Sequence, residues 1–320
     1  MATVTAPSAR RLQRFVASGG VVWTLVLTLV VIGAVGSEDF RTLSNLSNVS
    51  RQAVVLSLVS LGQFVVVLTA GVDLSVGMIV KLTAITSAIL IAGQDERTLL
   101  GLGIALLLGL AAGATNGLIV TRLRVPAFIA TLGTLAVIQG ISLLITSTPA
   151  GQTSPILNDF WAFHVGRLFG PVILTAGIWV VLWIALYRTV WGRHVYAVGA
   201  DPHIATVSGV RTRLIQFSAY VVAGLLAAVG GILTVTRAGV GDPNAGFGLE
   251  FESLAAVVIG GASLAGGRGR IIGVLGGVLL LSVIGNVFNL LGVAVWYRQL
   301  LKGLLILFGA AVYLGKRDQA

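Results

Sequence analysis

Apolar runs of about 20 residues alternate with short polar clusters along this chain of 320 residues. The runs lie near 19–36, 53–71, 74–92, 98–120, 125–147, 170–187, 214–235, 251–265, 271–291 and 295–314. A helix that rises 1.5 Å per residue needs about 20 apolar residues to cross a hydrocarbon core about 30 Å thick. Because backbone in lipid must satisfy its own hydrogen bonds, the pattern predicts an all-α, polytopic membrane protein with about ten transmembrane helices.

Three places along these runs leave alternatives open. The eighth is short and rich in Gly, and only two or three residues separate the second run from the third. Either place can hold a broken or re-entrant element, which is tolerated where protein rather than lipid covers it. The first run, with Arg10, Arg11 and Arg14 before it and Ala34-Val35-Gly36 at its end, also imitates a signal peptide. Its apolar stretch is longer than such a peptide usually has, which favours a span.

Lys and Arg residues are distributed unequally between the two sides that the runs define. The chain carries 21 Lys and Arg against 11 Asp and Glu. With the N-terminus inside, the inner loops hold Arg10, Arg11, Arg14, Arg122, Arg124, Arg188, Arg193, Arg211, Arg213, Arg268, Arg270, Lys316 and Arg317. The outer set is smaller and comprises Arg41, Arg51, Arg97, Arg167, Arg237 and Arg298. The positive-inside rule therefore predicts that both termini are cytoplasmic.

This orientation divides the chain into three parts. Residues 1–18 and 315–320 are cytoplasmic tails, and residues 19–314 form the transmembrane domain, whose longest cytoplasmic loop is 188–213. The net charge of +10 belongs to the inner loops of a membrane protein, so it does not indicate a partner nucleic acid. Membrane lipids are the surroundings that the composition predicts.

The sequence contains no pattern of residues typical of a catalytic or metal site. The chain has no Cys and only three His, which lie far apart, so no metal-ligand spacing is present. The nearest feature to a nucleotide-binding loop, Gly315-Lys316, is followed by Arg317 and lacks an upstream Gly-rich loop. No catalytic triad or carboxylate pair is convincing either, so we predict no enzyme and no cofactor in this chain.

The longest inner loop contains signals for a short helix. In Asp201-Pro202-His203-Ile204-Ala205-Thr206-Val207-Ser208-Gly209, Asp201 suits the N-cap, Pro202 the first helical position, and Gly209 the position past the end. Two helical turns are not stable alone in water, so the segment must pack on something. It can insert Ile204, Ala205 and Val207 into a groove of an ATPase subunit, or it can lie on lipid headgroups beside Arg193, Arg211 and Arg213.

Several stretches resemble the ribose-type permeases of ABC importers. They are GQFVVVLTAGVDLSVG at 62–77, NGLIVTRLRVPAFIATLGTLAVIQGISLLIT at 116–146, GRHVYAVGADPHIATVSGV at 192–210, GFGLEFESLAAVVIGGASLAGGRGRIIGVLGG at 246–277 and YRQLLKGLLIL at 297–307. The resemblance implies a permease in the bacterial inner membrane that imports a sugar or related polar solute. It also implies a second permease copy or paralogue, two cytoplasmic ATPase domains that bind ATP, and an extracytoplasmic solute-binding protein. In that family the loop at 192–210 faces the ATPase, which favours a coupling helix at 201–209.

Polar residues inside the runs are candidates for a solute path, because each is costly in lipid. These candidates are Gln63, Asp73, Asn116, Gln139 and Asn286. Each can equally hold helices together, and Asp73 can instead cap the third helix, with Ser75 assisting. An ion-coupled secondary transporter or a passive channel is the alternative function.

Three further charged residues lie in or beside the runs. Lys81 departs from the family pattern, and it can pair with Asp73 or extend toward the cytoplasm. Glu250 and Glu252 match an acidic pair of the family, and they are expected near the outer side at the start of a helix.

Overall fold

The computed structural model describes residues 20–166 and 168–293, together with the single positions Tyr297, Leu300, Gly303 and Leu304. Both predicted tails, both termini and most of the tenth predicted span, with its Lys302, lie outside the described residues.

Helices form nearly all of the regular structure in this part of the chain. They are α1 (Gly20–Gly36), α2 (Leu43–Leu68), α3 (Val76–Ile91), α4 (Thr98–Thr121), α5 (Ala127–Ile145), α6 (Pro155–Ala162), α7 (Gly170–Arg188), α8 (Val190–Ala200), α9 (Pro202–Val207), α10 (Thr212–Ala238), α11 (Leu249–Ile259) and α12 (Ile271–Leu290). A short hairpin of β1 (His164–Val165) and β2 (Leu168–Phe169) precedes α7. By length and composition, α2, α4, α5, α7, α10 and α12 can cross a membrane. The prediction of an all-α membrane protein is therefore confirmed.

Helix α10 is the centre of the bundle and packs against α2, α3 and α4. Its contact with α4 depends on glycines that let the two backbones approach closely. A Cβ atom on Gly224 of α10 would overlap the carbonyl oxygen of Gly109, and one on Gly113 would overlap the carbonyl oxygen of Tyr220. These glycines therefore serve packing, as is common between membrane helices.

The loops at one end of the bundle carry most of the exposed arginines. This basic end consists of the segments 69–75, 122–126, 188–213 and 260–270. Three of them, 69–75, 188–213 and 260–270, meet near Leu68, where Ala70, Gly199, Gly266 and Gly267 lie close together. Its exposed arginines are Arg122, Arg124, Arg188, Arg193, Arg211, Arg213, Arg268 and Arg270. This asymmetry agrees with the inner location that the positive-inside rule gives to these loops.

The opposite end is held together by contacts between loops and helix ends. Ala150 and Gly241 exchange two backbone hydrogen bonds of 3.0 Å each. The hydroxyl of Thr98 donates to that of Ser154 at 2.7 Å. The guanidinium of Arg51 lies 3.9 Å from the ring centre of Phe169, which fixes the hairpin on α2.

The second and third helices differ in their limits from the predicted runs. Helix α2 begins at Leu43 rather than near residue 53, because Thr42 accepts a hydrogen bond from the Asn45 N–H at 3.1 Å and caps it. The connection to α3 is longer than predicted and comprises residues 69–75, which form a turn at the basic end. The apolar pattern missed both features. The first turns of α2 are polar, so the apolar run begins after the helix does, and apolar residues continue past the end of α2 into the turn.

The eighth predicted span is a broken element. Helix α10 ends at Ala238, and residues 239–248 return along α3 without helical structure before α11 begins. A Cβ atom on Gly241 would lie 2.9 Å from the Cα atom of Ile85, and one on Gly246 would overlap the carbonyl oxygen of Gly77. We call residues 239–248 the return segment.

The expectation that Glu250 lies near the outer side is wrong. Its carboxylate lies against Gly77, in the first helical turn of α3. Gly77 is 14 residues before Ile91, the last residue of α3, and this separation is about 21 Å along a helix. The return segment therefore delivers the acidic start of α11 into the interior of the bundle.

Candidate functional site

The short helix α9 at the basic end has the local structure that its sequence predicts. The carboxylate of Asp201 accepts hydrogen bonds from the N–H groups of His203 at 2.8 Å and Ile204 at 2.9 Å. Pro202 occupies the first helical turn, and Gly209 has a positive φ of 84° beyond the helix end. A capped helix of this length is held in place by its surroundings, since its own hydrogen bonds are too few to stabilise it.

The apolar side chains of α9 do not all face outward. Ile204 and Val207 are 60% and 72% exposed, but Ala205 is only 4% exposed. The expectation that Ala205 inserts into a partner is therefore wrong, because this residue packs against its own chain. Ile204 and Val207, three residues apart and so on one helical face, remain as the outward apolar pair.

A shallow groove with a basic rim lies next to α9. It is lined by Thr206, Val210, Arg211, Thr212, Arg213 and Leu214. Both arginines are exposed. The outward pair and this groove together form what we call the coupling surface.

Helix α8 connects the coupling surface to the interior of the bundle. A Cβ atom on Gly199 would overlap the carbonyl oxygen of Leu68, which ends α2. The same carbonyl accepts a hydrogen bond from the Gly267 N–H at 2.9 Å. Because no side chain separates α8 from the end of α2, a displacement of α8 must move the turn between α2 and α3 or break this contact.

Two tyrosines provide a second connection. The hydroxyl of Tyr196 in α8 donates to the carbonyl of Gly269 at 3.1 Å and lies 3.3 Å from the hydroxyl of Tyr187. Tyr187 in turn accepts from the N–H of Ile271, the first residue of α12, at 3.1 Å. Burial raises the pKa of Tyr196 above its usual value, so its hydroxyl stays a donor in alkaline solution as well as at neutral pH. The apolar pattern of the sequence did not indicate a role for these tyrosines.

The turn between α2 and α3 contains a buried polar cluster. Asp73 accepts hydrogen bonds from the N–H of Ser75 at 2.9 Å and from its hydroxyl at 2.7 Å. The Asn116 amide donates to the hydroxyl of Ser75 at 2.7 Å and to the two carboxylate oxygens at 3.3 and 3.4 Å. The hydroxyl of Thr134 donates to Asn116 at 2.7 Å. The cluster thus joins α4 and α5 to the start of α3.

Asp73 organises the turn and is not the N-cap of α3. The N-cap is Ser75, and its side chain makes no capping hydrogen bond. Asp73 lies two residues earlier, so its carboxylate reaches Ser75 but not the free N–H groups inside the helix. The prediction that Asp73 caps the third helix is therefore wrong, because its carboxylate stabilises the turn before that helix.

The remaining path candidates have different environments. Asn286 and Asn45 exchange hydrogen bonds of 2.7 and 3.0 Å between α12 and α2. Gln139 is half-buried on α5. Gln63 is fully buried in α2, and neither of its amide atoms has a hydrogen-bond partner among the residues that the structure describes. Asn286 thus serves helix packing, whereas Gln63 keeps unused hydrogen-bonding capacity.

Lys81 does not pair with Asp73. In the described part of the chain, no acidic oxygen lies within 4.0 Å of its ammonium group. Lys81 is 5% exposed and lies on the part of α3 that contacts Glu250, which is 4% exposed. The reason is geometric, since the return segment brings Glu250 onto the face of α3 that carries Gly77 and Lys81, four residues apart.

Comparisons with known proteins agree on one class of membrane protein. A family described as branched-chain amino acid transport system, permease component, matches residues 45–310. A ribose import permease protein of Escherichia coli K12 is 38% identical over 292 residues, which cover 90% of this chain and 91% of the relative. A D-allose transport system permease protein of the same strain is 33% identical over 297 residues, covering 92% and 90%. A fructose import permease protein of Rhizobium meliloti is 34% identical over 307 residues, covering 90% and 82%. No solved structure matches the chain.

Proposed function

The chain belongs to the permease family of sugar ABC transporters, and from this premise we propose that its coupling surface docks on a cytoplasmic ATPase domain. The observation that carries the proposal is the outward pair Ile204 and Val207 on a capped helix at the basic end. An ABC permease binds no ATP itself and must receive force from a partner. Two exposed apolar side chains beside a groove with a basic rim suit a partner that has an apolar pocket with an acidic edge.

We also propose that the permease functions as a pair, with a second copy or a close paralogue, in the bacterial inner membrane. Two ATPase domains then act on two coupling surfaces, and an extracytoplasmic binding protein delivers the solute to the opposite end. The relatives named for ribose, D-allose and fructose favour a monosaccharide or a related polar solute.

The contacts of α8 support a route from the coupling surface to the membrane interior. A movement of α9 displaces α8, whose Gly199 lies against the end of α2 and whose Tyr196 bonds Gly269. The turn at 69–75 holds the start of α3 through the Asp73 cluster. Rigid displacement of these packed elements can therefore alternate the access to a central path.

The proposal is tested by uptake into vesicles that contain the permease, its candidate ATPase and its candidate binding protein. We expect ATP-dependent uptake without an ion gradient. The double variant Ile204→Ala, Val207→Ala should take up solute at least tenfold more slowly than the unmodified permease. The matched control is Leu107→Ala, Val181→Ala, which removes two side chains of similar exposure, 61% and 67%, from spans α4 and α7. Uptake driven by a gradient without ATP, or passive leak, would contradict the importer, and equal uptake by the two variants would contradict the docking surface.

A further inference from the structure

The return segment lies deep in the membrane-spanning part of the protein. Gly246 lies on α3 between Gly77 and Lys81, because a Cβ atom on Gly246 would overlap the carbonyl oxygen of Gly77 and lie 3.2 Å from the Lys81 backbone nitrogen. Lys81 is ten residues before Ile91, the last residue of α3, and this separation is about 15 Å along a helix. Since the hydrocarbon core is about 30 Å thick, Gly246 lies near its middle.

Backbone groups of the return segment are left without partners at this depth. In the part of the chain that the structure describes, the carbonyl oxygens of Ala245 and Phe247 accept no hydrogen bond. Asn244 is exposed, and among the described residues its side chain is hydrogen-bonded only to Asp242, two residues away. Irregular backbone with free carbonyl groups is not stable against lipid and occurs at membrane depth only under protein or beside water.

Two aromatic side chains next to these carbonyls are also uncovered. Phe247 is 71% exposed and Phe251, one helical turn later, is 49% exposed. The buried carboxylate of Glu250 lies between them in sequence, and its Oε2 atom has no hydrogen-bond partner among the described residues. Lys81 supplies a positive charge nearby. A region with this many polar groups is costly in a dry apolar environment and much less so beside water.

We propose that the return segment and the start of α11 line a water-filled solute path, in which a sugar contacts the free carbonyls of Ala245 and Phe247 and the rings of Phe247 and Phe251. Sugar hydroxyl groups are hydrogen-bond donors and suit the two carbonyl oxygens. The C–H faces of a sugar ring are apolar and suit the exposed aromatic rings. These contacts are few, and half of them are made by backbone, so they let different monosaccharides pass without holding any of them tightly. This inference rests on the proposed function for its solute, but the water-filled cavity can be tested separately.

The chain has no native Cys, so single substitutions can report the access of water without further changes. The test compares Phe247→Cys with Leu107→Cys and Val181→Cys in membrane vesicles, using a permanently charged, water-soluble methanethiosulfonate. Both controls are exposed on regular helices, 61% and 67%, at a similar distance from the opposite end. We expect Phe247→Cys to react at least tenfold faster than either control. Equal rates would overturn the proposal, because a cover of lipid or of dry protein protects all three thiols alike.

A second variant keeps the test decisive if Phe247→Cys does not fold. Folding is judged by size-exclusion chromatography in detergent. Asn244→Cys changes an exposed side chain and is expected to show the same fast labelling. In vesicles that take up D-ribose, labelling of either variant should reduce uptake at least tenfold relative to the same variant without the reagent, whereas the reagent should leave uptake by the Cys-free protein unchanged. Labelling that leaves uptake intact would overturn the solute path. A complex that transports neither D-ribose, D-allose nor D-fructose would contradict the proposed function, while the labelling rates would still show whether water reaches the return segment.

Discussion

At the scale of single residues, the polar groups inside the bundle divide into those with partners and those without. Asp73, Asn116 and Asn286 use their hydrogen-bonding groups to join helices. Gln63 and Glu250 each keep a buried polar atom without a partner among the described residues. Composition cannot separate these two groups, because both consist of polar residues in apolar surroundings. The polar atoms without partners are the ones to which a polar solute or water can add hydrogen bonds.

The Asp73 cluster provides a test of the first group. Asp73→Ala removes the acceptor of Ser75 and Asn116 and leaves buried donors unpaired, so we expect a loss of about 1–3 kcal/mol in unfolding free energy. Asp73→Asn keeps one acceptor oxygen and should lose less. Thermal unfolding in detergent measures both, with Glu96→Ala, an exposed acid at the opposite end, as the control. An Asp73→Ala protein as stable as the control variant would contradict a structural role for the cluster.

At the scale of elements, two short helices differ most from a regular span. Helix α9 has only six residues and exists because Asp201, Pro202 and Gly209 set its ends and Ala205 anchors it. Helix α11 has 11 residues and crosses only part of the membrane, because the return segment has already covered the rest. Both helices depend on neighbours, and both carry exposed apolar side chains that their own chain leaves uncovered.

The N-cap of α9 provides a test at this scale. Asp201→Ala removes two hydrogen bonds to backbone N–H groups, and loss of an N-cap costs about 0.5–2 kcal/mol. Because α9 has only six residues and lies at the surface of the bundle, we expect the helix to unfold locally and ATP-dependent uptake to fall several-fold while the global unfolding temperature stays nearly unchanged. Asp201→Ser restores a capping oxygen and should recover most of the uptake. Asp159→Ala serves as the control, and full activity of Asp201→Ala would show that the coupling surface does not need an ordered α9.

At the scale of the whole molecule, close packing around α10 supports the irregular elements. The glycine contacts between α4 and α10 bring these backbones together, and α10 also holds α2 and α3. Against this rigid core, the return segment adheres to α3 through Gly241 and Gly246. A break at membrane depth is possible only where such a core satisfies or encloses most of its backbone groups.

The α4–α10 contact provides a test of this packing. Gly224→Val places a branched side chain against the Gly109 carbonyl, and overpacking of this kind costs about 1–3 kcal/mol or prevents folding. Gly133→Val on α5 is the matched control, since a Cβ atom there meets no other atom within 4 Å. We expect lower yield and a lower unfolding temperature in detergent for Gly224→Val only. Equal behaviour of the two variants would show that α4 and α10 can separate without cost.

The positions of most helices could be predicted from the sequence, because a membrane imposes a long apolar run on each spanning helix. The basic loops and the caps of α9 were likewise predictable, since the positive-inside rule and capping act through local residue types. The family resemblance adds the expectation that the loop at 192–210 faces an ATPase, and this stays a prediction.

Contacts between distant parts of the chain could not be predicted in this way. The pairing of Asn45 with Asn286, the burial of Ala205 and the position of Glu250 beside Gly77 depend on which helix faces meet. Apolar periodicity carries little information on this point in a membrane protein, because lipid-facing and protein-facing residues are both apolar. The sequence by itself thus determined the spanning helices, the charged ends and the short capped helix. Only the tertiary structure decided which polar groups are satisfied and where the backbone breaks, since both follow from packing between residues far apart in the chain.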